Sequence, residues 1–232
     1  MSTKITDHTA QECTDQPDTQ VCPKGENVCP IFSEVENLRQ EVRTDPLTGL
    51  FNRRQLLYTL DQEMERTRRS LEPTSLIMLD IDGFKEVNDA HGHLIGDRIL
   101  EKLAQQVIAT IRKLDIACRY GGEEFAIVLP STHLLTGVRV AERLRNNVAS
   151  TPIDIQGVQH TITISLGVDT YTHQHAANAD DFIDRADKKL YEAKQAGRNC
   201  VRHGSHMTAN TTRVAQDEKR ALDALFENNH PE

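Results

Sequence analysis

The sequence has no long apolar run and no long basic run. No stretch approaches the ~20 apolar residues that a membrane-spanning helix needs, so we expect no membrane span. Because phosphate backbones select basic protein faces, a chain with a net charge of −8 is not expected to bind nucleic acid. The N-terminus is polar and lacks the apolar core of a signal peptide, and we therefore expect a cytoplasmic protein.

Cysteine is scarce, and its five positions fall into two groups. Cys118 and Cys200 lie in predicted strands, and we expect both to be buried as small hydrophobic residues. The other three precede the first predicted helix, at Cys13, Cys22 and Cys29. Together with His8 they would make a tetrahedral zinc set, although their spacing fits no standard zinc finger. Redox sensing is a second alternative, and reduced cysteines on a flexible segment are the interpretation that we favour.

Polarity divides the chain into four segments. Residues 1–30 are polar and predicted to be flexible. In residues 31–43 apolar residues recur in steps of four and three, which predicts a short amphipathic, coiled-coil-like helix. With under two heptads it cannot hold a dimer alone, and it is either part of a dimerising stalk or packs on its own domain. Residues 44–203 make the predicted main domain, and residues 204–232 a polar tail.

Hydrophobic periodicity in the main domain alternates between helices and strands. Helices are predicted over about residues 53–70, 84–90, 95–112, 134–149 and 180–195. Strands are predicted at residues 75–81, 116–118, 126–129, 161–168 and 199–202. This order predicts an α/β sandwich with a central sheet flanked by helices.

The most informative segment is residues 121–125 (GGEEF). A glycine pair between apolar stretches predicts a tight hairpin turn, where the missing Cβ permits unusual backbone angles and the close approach of a ligand. A glycine-pair turn followed by acids is also common on solvent-exposed protein surfaces, so this segment alone does not establish a ligand site. Upstream, a short apolar run ends at Asp80-Ile81-Asp82, which predicts a buried strand that delivers carboxylates to a sheet edge. The two acidic segments could share a magnesium ion that carries a nucleoside triphosphate.

Further motifs stand in the order and at the spacing of a known family. They are residues 45–54 (DPLTGLFNRR), 80–89 (DIDGFKEVND), 91–97 (HGHLIGD) and 191–199 (YEAKQAGRN). With GGEEF they make the chain resemble a GGDEF-domain diguanylate cyclase, which condenses two GTP molecules into cyclic di-GMP. The resemblance implies a mainly antiparallel sheet like that of the polymerase palm and the adenylyl cyclase core. It also implies a homodimer with one GTP per protomer, which favours a dimerising stalk at residues 31–43.

The resemblance assigns the reacting centre to the strand end and the turn. Asp80, Glu123 and the carbonyl of Ile81 resemble the ligands of two Mg²⁺ ions, with Mn²⁺ as the alternative metal. Glu123 and Glu124 are the candidate catalytic residues. Two metals would polarise the α-phosphate and lower the pKa of the attacking 3′-hydroxyl. Asp82 either supports the ligands or is an exposed acid at the strand end, and we favour the exposed acid.

The resemblance places the substrate around this centre. Asn88, His93 and Asp97 resemble the residues around guanine, because a carboxylate accepts from a ring N–H and an amine that adenine does not offer together. Helix capping is the alternative for Asn88 and Asp97. Lys85, Lys194 and Arg198 resemble the phosphate ligands; for Lys194 and Arg198 the alternative is that the helix dipole favours positive charge near the helix end. The remaining substrate-binding residues of the family pattern are Phe84 and Gly122.

An Arg-x-x-Asp pattern precedes the turn, at Arg112 and Asp115. In the family this is the inhibitory product site, and Arg143 resembles its second arginine. Arginine can bind phosphate or a guanine edge through two N–H groups, and the acid can accept from guanine; the alternative is an exposed pair at a helix end. A receptor for cyclic di-GMP or a GTP-binding module without turnover is the competing function, against which the intact GGEEF segment argues.

Overall fold

The structure, a computed structural model, describes residues 43–155, 157–174 and 177–204. The predictions for residues 1–42 and 205–232 lie outside these ranges, including those for Cys13, Cys22 and Cys29. None of the helices in the described ranges is both long enough and apolar enough to cross a membrane.

Helices and strands alternate along the described chain, as the periodicity predicts. The helices are α1 (Arg53–Ser70), α2 (Phe84–His91), α3 (His93–Thr110), α4 (Leu134–Ser150) and α5 (Ala179–Gln195). The strands are β1 (Phe51–Asn52), β2 (Thr74–Ile81), β3 (Ile116–Arg119), β4 (Glu124–Leu129), β5 (Ile153–Ile155), β6 (Val158–His160), β7 (Ile164–Tyr171) and β8 (Val201–His203). The five helices predicted in the main domain are confirmed, each end within two residues of the prediction.

Six of the strands form one sheet in the order β1-β3-β4-β2-β7-β8. The inner pairs β3-β4, β4-β2 and β2-β7 are antiparallel, and the outer pairs β1-β3 and β7-β8 are parallel. The prediction of a mainly antiparallel sheet is therefore confirmed. Strand β2 lies in the middle of the sheet and is buried along its whole length.

Helices cover both faces of the sheet, and the pleat of β2 sorts its side chains between them. Ile77 and Leu79 pack with α3 and α4 in one apolar cluster. Leu76 and Met78 pack with α1 and α5 in the other. Because side chains alternate along a strand, the next even-numbered residue, Asp80, faces the side of α5.

The structure differs from the prediction at the shortest and the outermost elements. Strand β1 and the hairpin of β5 and β6 were not predicted, because two or three residues are too few to show a period. Strand β7 begins three residues later than predicted, at Ile164. Cys118 is buried as expected, and burial raises the pKa of its thiol to about 12. Cys200 is only half-buried and precedes β8, so the prediction of a buried strand residue is wrong there.

Gly167 is the point at which β7 packs against the backbone of α5. A Cβ at this position would lie 2.2 Å from the carbonyl oxygen of Ala186 and 2.2 Å from the nitrogen of Leu190. Helix backbone cannot rotate aside as a side chain can, so we expect Gly167→Ala to lower the free energy of unfolding by about 2 kcal/mol. Equilibrium urea denaturation would measure it, with Gly122→Ala as the control, since a Cβ there meets nothing within 4 Å. An equal loss in both variants would contradict this packing.

Candidate active site

Residues 120–124 form the predicted hairpin turn. The N–H of Glu124 donates to the carbonyl of Gly121 at 3.3 Å, and the N–H of Tyr120 donates to the carbonyl of Glu124 at 2.8 Å. Neither Gly121 nor Gly122 has a positive φ, so the expectation of unusual backbone angles is wrong. The glycines matter for space instead: a Cβ on Gly121 would lie 3.0 Å from Oε2 of Glu124, and Gly122 leaves an open surface that a ligand can approach.

Arg119 holds the turn, and sequence reasoning missed it. Its Nε and Nη2 donate to the carbonyl of Gly122 at 3.1 and 2.8 Å. Its Nη1 lies 3.2 and 3.1 Å from the two carboxylate oxygens of Asp45. Burial opposes the ionisation of Asp45, but hydrogen bonds from Thr48 and Arg119 lower its pKa below the ordinary value. The motif at residues 45–54 thus ties the start of the domain to the turn, and an arginine one residue ahead of the YGGEEF run was the available signal.

Strand register places acids together at the end of β2. Asp80 lies directly opposite Glu124 in the antiparallel pair of β2 and β4. Asp80 is 5% exposed, while Glu123 and Glu124 are half-buried. Burial is the largest cause that raises the pKa of each of the three, and the charge of Asp80 adds to it at Glu123 and Glu124. Crowded acids of this kind are stabilised by a cation.

Lys194 supplies one such positive charge from α5. Its Nζ lies 2.9 Å from Oδ2 of Asp80, and the charges of Lys194 and Arg198 both oppose the rise in the pKa of Asp80. Two of the three predicted phosphate ligands, Lys194 and Arg198, therefore bring positive charge to the acids on the face of the sheet where Asp80 lies. Lys194 is in the last turn of α5, so the helix dipole also favours it, whereas Arg198 lies beyond the helix.

The donor atoms suit a magnesium ion that arrives with a substrate. Asp80 and Glu123 offer carboxylate oxygens, and Ile81 offers a carbonyl at the strand end. Within the described ranges, no group of three or more His, Cys, Asp or Glu side chains could hold a metal by itself. Magnesium binds hard oxygen atoms and usually takes only one or two carboxylates from protein, with phosphate and water as the other ligands. A pair of carboxylates beside the cations Lys194 and Arg198 meets the part of that requirement that falls to the protein.

A buried amide oxygen lies at the predicted base site. Oδ1 of Asn88 is buried and has no hydrogen-bond partner in the part of the chain that the structure describes. Asn88 is inside α2, and Asp97 is the fifth residue of α3, which Gly92 precedes as its N-cap. The helix-capping alternative for Asn88 and Asp97 is therefore wrong. A buried acceptor without a donor is costly, so a ligand that offered an N–H group to this oxygen would relieve that cost.

The predicted substrate residues Phe84, Lys85, His93 and Asp97 lie on α2 and α3. Asp97 and Leu47 help to line a cavity of about 460 Å³. Phe84 is 6% exposed and packs in the core beside Gly96, so it supports the site more than it borders solvent. Lys85 and His93 are exposed at the starts of α2 and α3.

Asp82 is not the exposed acid that we expected. Its carboxylate accepts from Oγ1 of Thr163 at 2.7 Å and from Oγ of Ser165 at 2.6 Å. It also accepts from the backbone N–H of Asn199 at 2.9 Å. Asp82 therefore joins the end of β2 to β7 and to the turn after α5, and the favoured interpretation was wrong.

Arg112, Asp115 and Arg143 lie together beyond the C-terminus of α3. Oδ2 of Asp115 accepts from the backbone N–H of Arg112 at 2.8 Å. Nη2 of Arg143 donates to the carbonyl of Thr110, the last residue of α3, at 2.6 Å. Burial raises the pKa of Asp115, whereas the positive charges of Arg112 and Arg143 act to lower it. Both arginines are exposed, so the cluster presents two cations beside a half-buried acid.

Comparison with known proteins assigns the family. Residues 42–200 match the family model described as diguanylate cyclase, GGDEF domain. The chain belongs to this family. This chain is 42% identical over 169 residues to the diguanylate cyclase DgcP of Pseudomonas aeruginosa, covering 73% of this chain and 25% of that protein.

Two solved structures resemble this GGDEF domain. The coiled coil and GGDEF domain of DgcB from Caulobacter crescentus, in complex with c-di-GMP, is 29% identical with a TM-score of 0.71, covering 75% of this chain and 92% of that one. The active GGEEF domain of a diguanylate cyclase from Vibrio cholerae is 36% identical with a TM-score of 0.62, covering 67% and 97%. The chain spans between 25% and 39% of the length of eight similar curated relatives.

Gly96 of this GGDEF domain makes room for Asn88. A Cβ at Gly96 would lie 1.9 Å from Oδ1 of Asn88 and 3.2 Å from Cζ of Phe84. Alanine favours a helix by up to ~1 kcal/mol over glycine, so we expect Gly96→Ala to fold. We expect it to displace the Asn88 amide and weaken the binding of a GTP analogue about tenfold, measured by calorimetry. In an Asn88→Ala background the substitution should cost nothing further, and additive losses would contradict this contact.

Proposed function

We propose that the chain is a diguanylate cyclase that condenses two GTP molecules into cyclic di-GMP and two pyrophosphates. The observation that carries the proposal is the group of acids at the end of β2: Asp80 opposite Glu124 in the strand register, paired with Lys194. Membership of the GGDEF family and the likeness to an active GGEEF domain support it. A protein that only bound a guanine nucleotide would have no need to crowd acids beside phosphate-binding cations.

Each half of the reaction transfers a nucleotidyl group. The 3′-hydroxyl oxygen of one GTP forms a bond to the α-phosphorus of the other, the bond to the α,β-bridging oxygen breaks, and pyrophosphate leaves. A second transfer in the opposite direction closes the ring. Such chemistry depends mainly on positioning and on charge neutralisation. Glu123 and Glu124 are the candidate residues to accept the hydroxyl proton.

The acids at the end of β2 are also the proposed metal ligands. Asp80, Glu123 and the Ile81 carbonyl would hold Mg²⁺ or Mn²⁺. When bound, the metal would neutralise charge on the phosphates and lower the pKa of the hydroxyl. Lys194, which neutralises Asp80 in this structure, joins Arg198 and Lys85 in binding the β- and γ-phosphates in our proposal. In this proposal Lys194 therefore lies at the same acidic site before and after the substrate binds.

Guanine is recognised by polar groups on α2 and α3 in this proposal. The Asn88 oxygen, which has no hydrogen-bond partner among the described residues, accepts from the base, and Asp97 accepts from the ring N–H and the exocyclic amine. Phe84, His93 and Gly122 complete the substrate site through packing and an open turn. ATP would leave these acceptors without donors, so we assign GTP as the substrate.

The reaction requires two GTP molecules, and we propose a homodimer in which each protomer holds one. Product formation per protomer would then fall when the enzyme is diluted below its dimerisation constant. We also propose that product inhibits the enzyme by binding at Arg112, Asp115 and Arg143, where exposed cations suit its phosphates.

The test is to incubate the purified chain with GTP and Mg²⁺ and to separate the nucleotides by chromatography. We expect cyclic di-GMP with two pyrophosphates for each product molecule. If cyclic di-GMP is recovered tightly bound and no turnover occurs, Arg112→Ala separates the two explanations. Turnover that appears in the variant would indicate an enzyme locked by product, whereas continued inactivity would indicate a receptor. Absence of product and of bound nucleotide in both proteins would contradict the proposal.

A further inference from the structure

Three consecutive residues after α5 adopt left-handed backbone. The φ values of Gly197, Arg198 and Asn199 are 107°, 64° and 44°. Glycine accepts this conformation freely and asparagine often does, but it is unfavourable for arginine. Strained residues of this kind persist only where surrounding contacts hold them, and they cluster at functional sites. The strained arginine here is the one assigned to the phosphates.

Hydrogen bonds from three elements hold this turn. The N–H of Arg198 donates to the carbonyl of Ala193 in α5 at 3.2 Å. The N–H of Asn199 donates to Asp82 at the end of β2 at 2.9 Å. From α4, Nη1 of Arg145 donates to Oδ1 of Asn199 at 3.0 Å and lies 3.4 Å from its carbonyl oxygen. Asn199 is therefore bound on both its backbone and its side chain.

Arg145 is itself fixed in place before it meets Asn199. Its Nε donates to Glu142 at 2.9 Å, and its Nη2 donates to Oδ1 of Asn146 at 2.7 Å. The side chain is only 21% exposed, which is low for an arginine on a helix surface. Its hydrogen-bond partners in the described ranges are Glu142, Asn146 and Asn199, and none of them belongs to the acidic site at the end of β2. An arginine ordered in this way loses little further freedom when it binds the turn.

We propose that Arg145 is a positioning residue for the substrate triphosphate: by holding Asn199, it keeps residues 197–199 in the conformation that presents Arg198 to the phosphates. This role rests on the proposed function. Nothing in the sequence pattern singled out Arg145, because its contact crosses 54 positions of the chain. Loss of the contact would free the turn to relax toward ordinary backbone angles, and the Arg198 side chain would then leave its place.

The expected consequence is a loss of affinity more than a loss of rate. A phosphate contact made in both the ground state and the transition state contributes to KM, and its removal leaves kcat nearly unchanged. A residue with only a structural role would instead lower the free energy of unfolding with no selective effect on GTP. The two roles can therefore be separated by kinetics combined with denaturation.

The experiment compares Arg145→Ala with Arg139→Ala, an exposed arginine of the same helix. For Arg145→Ala we expect KM for GTP to rise about fivefold or more, with kcat within about twofold of the wild-type value. Calorimetry with Mg²⁺ and a GTP analogue that cannot be cleaved should show the same loss of affinity. Arg145→Lys keeps one donor and should recover part of it, and Arg139→Ala should match the wild type. Urea denaturation establishes that each variant is folded.

Arg198→Ala provides the decisive background. If Arg145 acts through Arg198, adding Arg145→Ala to this variant should change neither KM nor the analogue affinity. The proposal would be overturned if Arg145→Ala lowered the affinity for the analogue as much in the Arg198→Ala variant as in the wild type. It would also be overturned if Arg145→Ala alone left that affinity unchanged. If Arg145→Ala does not fold, Asn199→Gly tests the same contact from the other side, because glycine tolerates the left-handed backbone. A wild-type chain that neither binds the analogue nor forms product would contradict the proposed function, and this role with it.

Discussion

Glu123→Gln is expected to reduce the formation of cyclic di-GMP at least about 1,000-fold. The substitution replaces a carboxylate, which we propose as both a metal ligand and a proton acceptor, with a neutral amide. Glutamine has nearly the same shape as glutamate, so the turn between β3 and β4 should keep its hydrogen bonds. Chromatography of reactions with GTP and Mg²⁺ would measure the loss. Calorimetry with cyclic di-GMP should show binding unchanged, since Arg112 and Asp115 contact neither Glu123 nor its neighbours in the described ranges.

Glu86→Gln is the matched control for this variant. Glu86 is an exposed acid on α2 whose charge also contributes to the raised pKa of Glu123. The control removes a nearby negative charge without removing a proposed ligand, and we expect turnover within about threefold of the wild type. An equal loss in both variants would show that general electrostatics, and not the Glu123 carboxylate, limits the reaction. Full turnover in Glu123→Gln would show that the metal assignment is wrong.

Loss of activity in Glu123→Gln should not come with loss of stability. In the absence of metal, Glu123 lies among acids whose burial and mutual repulsion raise their pKa values. Neutralising one of them removes repulsion from the folded state, so the unfolding temperature without metal should stay the same or rise. Such a result would indicate that the crowded acids are retained for function at a cost in stability.

The sequence predicted those parts of the site that depend on local pattern. A short apolar run ending at Asp80 and a glycine pair before Glu123 are local features, and both the strand and the hairpin are confirmed. The helices were predicted because their apolar periodicity extends over several turns. Strands of two or three residues show no period, which is why β1 and the hairpin of β5 and β6 were missed.

The parts that could not be predicted depend on contacts between distant positions. The carboxylate of Asp82 accepts from groups on β7 and on the turn after α5, more than 80 positions away in each case. We expected an exposed acid because the local sequence shows only that Asp82 follows the end of a strand. The contact of Arg119 with Asp45 and that of Arg145 with Asn199 were missed for the same reason, since they join residues 74 and 54 positions apart. Family resemblance identified the residues assigned to substrate contacts but not the residues that hold them in place.

Arg112→Ala is expected to raise the concentration of cyclic di-GMP needed for half-inhibition at least about 100-fold, because an arginine bound to phosphate or guanine through two N–H groups makes charge-assisted hydrogen bonds. In this structure the backbone N–H and the backbone carbonyl of Arg112 are both hydrogen-bonded to Asp115, and the exposed guanidinium has no hydrogen-bond partner among the described residues. Turnover of GTP at low product should be unchanged. Initial rates at increasing cyclic di-GMP, together with calorimetry, would measure the two effects separately.

Lys113→Ala and Arg143→Ala make this prediction specific. Lys113 is an exposed neighbouring cation, and its loss should change inhibition by less than about threefold, because a surface charge alone contributes little. Arg143 already donates to the last carbonyl of α3, so we expect its loss to weaken inhibition less than Arg112→Ala and to lower stability slightly. Inhibition that survives Arg112→Ala would place the regulatory site elsewhere. Inhibition weakened equally by Arg112→Ala and Lys113→Ala would mean that the region attracts product by charge alone, without the defined contact that the Arg-x-x-Asp pattern implies.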